Sequence, residues 1–136
     1  MREPWGPSTR VDFTTWIANV GINQVSAILG VPYGVFQRSP EARELMESAM
    51  REAMNIAKAV KVDLIEEDIR NWYSFLMQLS PEGKTSMVQD VEAKRKTEVE
   101  MFAGKVIELG ERYGIQTPVN ETLFRTIKEI EQQYLD

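Results

Sequence analysis

Apolar positions recur along most of this chain at three- and four-residue spacing, the period of helices that bury one face. From Val11 to Leu29 the pattern is denser. Phe13, Trp16, Ile17, Val20, Val25, Ile28 and Leu29 put apolar groups on most faces, which predicts a helix buried nearly all round. Gly30-Val31-Pro32-Tyr33-Gly34 is expected to end it and form a loop. Ser39-Pro40-Glu41 has the form of a helix start, with a capping serine, a proline in the first turn and an acid near the positive end of the dipole. Its stripe is Leu45, Ala49, Ala53, Ile56 and Val60, and the small residues on it permit close helix packing.

A third helix is predicted from about Leu64 to Leu79, with the stripe Ile65, Ile69, Trp72, Leu76 and Leu79. Ser80-Pro81-Glu82-Gly83 then breaks the chain. A short helical stretch follows from about Thr85 to Ala93. Thr97 is expected to cap one further helix carrying Val99, Phe102, Val106, Leu109 and Tyr113, closed by a left-handed Gly114. Thr117-Pro118 begins the last helix, with Leu123, Ile127, Ile130 and Tyr134 on one face. No alternating strand pattern interrupts the series. The expected fold is a single all-α domain of five or six helices over residues 11–136, preceded by an irregular tail, 1–10, with two prolines and a glycine.

Composition narrows the chemistry more than the fold. A length of 136 residues suits one domain with a real core. No apolar run approaches the roughly 18–20 residues needed to span a bilayer, so no membrane association is expected. The formal net charge of −5 gives no overall attraction to nucleic acid, and the one dense basic run, Lys94-Arg95-Lys96, is flanked by Glu92 and Glu98. There is no histidine and no cysteine. Disulfides, thiolate nucleophiles, Cys/His metal sites and histidine-dependent triads are therefore excluded, and acid–base work would fall to Asp, Glu, Lys or Tyr. The lack of cysteine fits a reducing compartment, and a cytoplasmic location is expected.

Thr15, Asn19 and Asn23 stand at i, i+4 and i+8 and form one slanted polar stripe on an otherwise apolar helix. Buried amides are costly unless paired. They either bond neighbouring helices or line a polar ligand cleft, and the pattern alone leaves both open. Glu98 suits the positive end of a helix dipole or a carboxylate facing a ligand. Ser86 has no histidine to activate it. Glu66-Glu67-Asp68 is expected to be a solvated face rather than a metal site, and no glycine-rich phosphate loop is present.

Three segments together resemble a known family: Ser86-Met87-Val88-Gln89-Asp90, Lys94 to Glu98 with Gly104, and Gly114 to Asn120. With Asn19-Val20-Gly21-Ile22-Asn23, their order and spacing are similar to the C-terminal domain of ketopantoate reductase (2-dehydropantoate 2-reductase), from about Val11 to Glu131. The resemblance implies a helical domain of the 6-phosphogluconate dehydrogenase C-terminal type. Such a domain closes over a 2-keto acid held against an NADPH-binding Rossmann domain, in an oxidoreductase of pantothenate biosynthesis. It implies that Asn19, Asn23 and Ser86 bind substrate and that Glu98 contacts the NADP(H) cofactor. The family's proton-donating lysine falls at Thr15, so no catalytic residue is intact, and a substrate-binding loop asparagine falls at Tyr33. The Rossmann domain is absent from these 136 residues, so the chain alone is expected to lack reductase activity and to hold no nucleotide tightly. A homodimer is expected through the face that the missing domain would cover. The competing expectation is a non-catalytic helical dimerisation or interaction module derived from the same family.

Overall fold

Residues 10–135 are described in a computed structural model. Residues 1–9 of the expected tail lie outside them, and Arg10 already opens the first helix. The elements in order are α1 (Arg10–Leu29), α2 (Tyr33–Arg38), α3 (Pro40–Ala59), α4 (Glu66–Leu76), α5 (Ser86–Glu92), a 3-10 turn (Val99–Met101), α6 (Ala103–Tyr113) and α7 (Pro118–Gln132). No strand occurs among the described residues, and none of their helices is long and apolar enough to cross a membrane.

α1 is the axis of the fold. Its apolar residues point several ways because α3, α5 and α7 all pack against it. Phe13, Trp16, Ile17, Val20, Ile22 and Val25 are all buried. The closest approach is at Gly21, where an added Cβ would lie 2.7 Å from Met50 Cγ and 2.8 Å from both Met46 Cγ and the Met46 carbonyl oxygen. Gly21→Ala is therefore expected to destabilise the fold by about 1–3 kcal/mol through overpacking, although alanine is the better helix former. Urea unfolding of the variant measures this; unchanged stability would mean that the two helices separate at little cost.

Several helix ends follow local chemistry. The Ser39 side chain accepts a hydrogen bond from Ala42 N at the head of α3. Thr85 Oγ1 accepts from Val88 N at the head of α5. Gly114 takes φ 71° after α6, and Ile115 N donates to Gly110 O.

Other ends depart from expectation. Tyr33 does not stay in a loop but begins α2, anchored by Tyr33 N to Gly83 O (2.9 Å) and Gly34 N to Pro81 O (2.9 Å). The helix expected from Thr97 is split into the 3-10 turn and α6 at Phe102. Distant groups make that break: the Glu131 carboxylate binds Thr97 N and Oγ1, and Gln24 Oε1 accepts from Ala103 N (2.9 Å). The α3 stripe is rotated too. Leu45 is exposed, while Met46 and Met50 fill the core beside Ala49 and Ala53. Ile65 is exposed and α4 begins after it, with Asp68 Oδ2 accepting from Ile65 N (2.8 Å).

α4 is fixed to α3 by one polar chain. Tyr73 donates to Glu47 (2.8 Å), Arg51 binds Glu47 (2.7 Å), and the Arg51 guanidinium grips Glu66 with two bonds of 2.9 and 2.8 Å. Burial and then the bond to Glu47 push the Tyr73 phenol well above its ordinary value, while Arg51 holds the Glu66 carboxyl below the usual range. Asp68 pairs with Arg10 at 2.6 Å. The acids at the head of α4 thus secure helices, and α4 stands as a wall across from α1.

Candidate functional site

A groove of about 810 Å³ runs between α1, α4 and the start of α5. Its α1 side carries Thr15, Asn19 and Asn23, the slanted stripe read from the sequence. Ser86 at the head of α5 and Tyr33 at the head of α2 line it as well. Five of the six positions singled out in the sequence therefore meet at one place. Glu98 is not among the lining residues; it lies exposed just before the 3-10 turn. Lys84, near Ser86 in sequence, is tied to Glu92 at 2.8 Å.

The amides are arranged in a directed relay. Asn23 Oδ1 accepts from Met87 N (3.1 Å) and Ser86 Oγ (3.3 Å), and Asn23 Nδ2 donates to Asn19 Oδ1 (2.6 Å). Asn23 is buried, at 7% exposure, so this bonding is what its amide requires. The relay ends at Asn19 Nδ2, which donates to nothing among the described residues and keeps both hydrogens for the groove. Ser86 Oγ retains acceptor capacity beside it. Asn23 is thus a structural bond between α1 and α5, and that bond aims Asn19 at open space.

Further hydrogen bonds lie behind the relay. Ser26 Oγ donates to Asn23 O (3.1 Å) and shares a 2.8 Å bond with Thr85 Oγ1, the group that caps α5. The Tyr33 ring packs on Gly83, where an added Cβ would stand 3.0 Å from Tyr33 Cδ2. Thr15 is exposed in the groove and brings no charge there. The charged lining residues are Arg10 and Asp68, and they are bonded to each other. A nucleotide's phosphates thus find no cradle in this groove. Its chemistry is hydrogen bonding to a neutral or anionic oxygen.

The sequence reading did not select the opposite wall. Asp68, Asn71, Trp72 and Phe75 stand at i, i+3, i+4 and i+7 on α4 and line the groove. That spacing marks one helix face, distinct from the buried face of Ile69 and Leu76, and it was the available signal.

The arrangement of helices around the long buried α1 is shared with solved proteins. A ketopantoate reductase structure from Ralstonia eutropha superposes with a TM-score of 0.84 at 25% identity, covering 93% of this chain and 42% of that one. The family model described as ketopantoate reductase PanE/ApbA C terminal matches residues 10–131, and this chain belongs to that family. A 2-dehydropantoate 2-reductase of Pyrobaculum aerophilum is 35% identical over 114 residues, 81% of this chain and 39% of that protein. One from Aquifex aeolicus is 32% identical over 116 residues, 82% and 37% respectively. The chain thus spans about two fifths of the length of the curated relatives it matches.

Proposed function

We propose that this chain is the substrate-binding and closing half of a 2-dehydropantoate 2-reductase-like oxidoreductase. The observation that carries the proposal is the Ser86–Asn23–Asn19 relay, which holds an unspent amide donor at the wall of an open groove. Asn19 Nδ2 would donate to the keto or carboxylate oxygen of a 2-keto acid, and Ser86 Oγ would bond its polar end. Fixed donors of this kind orient the ketone and stabilise the charge that develops on its oxygen.

Reduction of a ketone also needs a hydride source, which NADP(H) supplies when bound. The groove's residues do not fit the nucleotide's phosphates, so that group is assigned to a Rossmann partner domain, with Glu98 as the contact from this chain. Neither Thr15 nor any other described lining residue places an ammonium by the ketone. That single fact favours the second reading, a dimerisation or interaction module that has kept the groove without the chemistry.

The test is Asn19→Ala in the reductase joined to its nucleotide-binding half. Because Asn19 accepts from buried Asn23, its loss leaves the Asn23 amide without that partner and is expected to cost about 1–3 kcal/mol of stability. The kcat/KM for 2-dehydropantoate is expected to fall about 10²-fold, the scale of losing one preorganised donor. Unchanged kcat/KM would remove the assignment.

A further inference from the structure

We propose that Glu131, near the end of α7, is a positioning residue for the nucleotide contact: it holds Thr97, and so fixes where the Glu98 carboxylate stands. The inference rests on Glu98 being that contact and adds the group that places it. Residues 93–98 join α5 to the 3-10 turn and belong to no helix. Their buried backbone groups must find partners elsewhere. α7 and the turn after it supply two. Tyr134 Oη donates to Arg95 O (2.7 Å). The Glu131 carboxylate accepts from Thr97 N (2.9 Å) and from Thr97 Oγ1, both at the same oxygen, Oε2.

Glu131 is a carboxylate at 2% exposure. Lys128 Nζ lies 3.4 Å from its other oxygen and is closer to Glu100, at 2.8 Å. A buried carboxylate with so loose an ion pair is costly, and both hydrogen bonds at its Oε2 converge on one residue. That hold bears directly on Glu98. Thr97 and Val99 are buried, whereas Glu98 between them is exposed. Thr97 Oγ1 also accepts from Val99 N (3.3 Å), so one side chain ties both neighbours of Glu98 to Glu131. Glu98 O in turn accepts from Met101 N (2.9 Å). The backbone is thus fixed on either side of Glu98, while its carboxylate makes no hydrogen bond or ion pair among the described residues. An ionised carboxylate only accepts hydrogen bonds, so it suits the hydroxyl groups of a nucleotide rather than its phosphates. Holding the backbone beneath such a group lowers the ordering cost of the contact it makes.

The test uses this chain joined to its nucleotide-binding half, with the Kd for NADPH read from nicotinamide fluorescence and the KM for 2-dehydropantoate measured alongside. Glu131→Ala is expected to raise the Kd about tenfold, the scale of one hydrogen bond to a charged group. It is expected to leave KM within about twofold, because neither Glu131, Thr97 nor Glu98 lines the groove. Glu131→Gln is expected to keep the Kd within about threefold of the parent, since one amide oxygen can receive both Thr97 bonds. The decisive comparison is made in the Glu98→Ala background, where Glu131→Ala is expected to weaken NADPH no further. Equal losses in the two backgrounds would show a merely structural role and overturn the proposal, as would an unchanged Kd in Glu131→Ala. If Glu98→Ala itself leaves the Kd unchanged, the Glu98 contact fails, and this inference fails with it. Where Glu131→Ala does not fold, Thr97→Val removes the hydroxyl link alone. Its Kd is expected to rise about threefold in the parent and not in the Glu98→Ala background; no rise in the parent, or the same rise in both, would overturn the proposal.

Discussion

Thr15→Lys, in this chain joined to the nucleotide-binding half of the proposed reductase, is expected to raise turnover of 2-dehydropantoate by about 10²- to 10⁴-fold, the range a positioned general acid supplies. The geometry is favourable. Thr15 is exposed, lines the groove, and precedes Asn19 by one helical turn on the same face, so an ammonium placed there would reach the oxygen proposed as Asn19's ligand. The present hydroxyl cannot do this work at neutral pH, and it brings no charge to hold a carboxylate. Threonine to lysine at an exposed helical position also carries little structural risk. The measurement is steady-state kcat beside the parent protein, with Thr15→Met as a control for side-chain bulk. A rise with lysine and none with methionine is the expected pair. No rise with lysine would mean that Thr15 is not the defect and that the groove serves binding rather than reduction.

Glu52→Ala is expected to destabilise the domain by about 3 kcal/mol, the largest single-residue loss of stability anticipated here. Glu52 is a carboxylate in the core, at 9% exposure, yet it meets no cation. Its oxygens instead accept from Val119 N (2.8 Å), Asn120 N (2.9 Å) and Asn120 Nδ2 (2.8 Å) at the head of α7. It is thus a helix cap supplied by α3, acting on the positive end of α7's dipole. Asn120 passes the arrangement on. Its Nδ2 also reaches Ala49 O (3.3 Å), and its Oδ1 accepts from Gln24 Nε2 (3.3 Å), whose own Oε1 takes Ala103 N. Removing Glu52 leaves the Val119 and Asn120 N–H groups without an acceptor at the head of α7, and leaves the Asn120 amide only its longer bond to Ala49 O. Glu52→Gln keeps an acceptor but loses the charge, and is expected to cost less than half as much. Urea unfolding of the three proteins measures the series. Equal losses for alanine and glutamine would mean that the charge on α7's first turn, rather than the hydrogen bonds, provides the stability.

That network also marks where the sequence stops being legible. Features carried by neighbours in the chain could be read: the Ser39 cap, the Thr85 boundary, the Gly114 turn, and the density of apolar residues that places α1 in the middle. Features made by distant partners could not. The break at Phe102 depends on Glu131 and Gln24, and the first turn of α2 depends on Gly83 and Pro81. Glu52, in an amphipathic helix of mixed charge, looks like any solvated glutamate until α7 is laid over it.

The site divides in the same way. Asn19 and Asn23 stood out because two amides on an apolar helix need an explanation. Ser86 carried no signal of its own and was placed by resemblance. Trp72 falls on the apolar stripe of α4 yet is only half-buried, and Phe75 lies off that stripe. Neither periodicity nor burial propensity distinguishes a ring that fills a core from one that lines a groove.

The most direct test of the groove's role is a titration of ¹⁵N-labelled chain with 2-dehydropantoate, following the side-chain amide of Asn19 with Asn19→Ala as the assignment control. Saturable shifts at the Asn19 amide, accompanied by Met87 N–H through Asn23, are expected if the relay holds the keto acid. Shifts confined to other residues, or none at concentrations well above those at which the relatives' substrate would be bound, would contradict it.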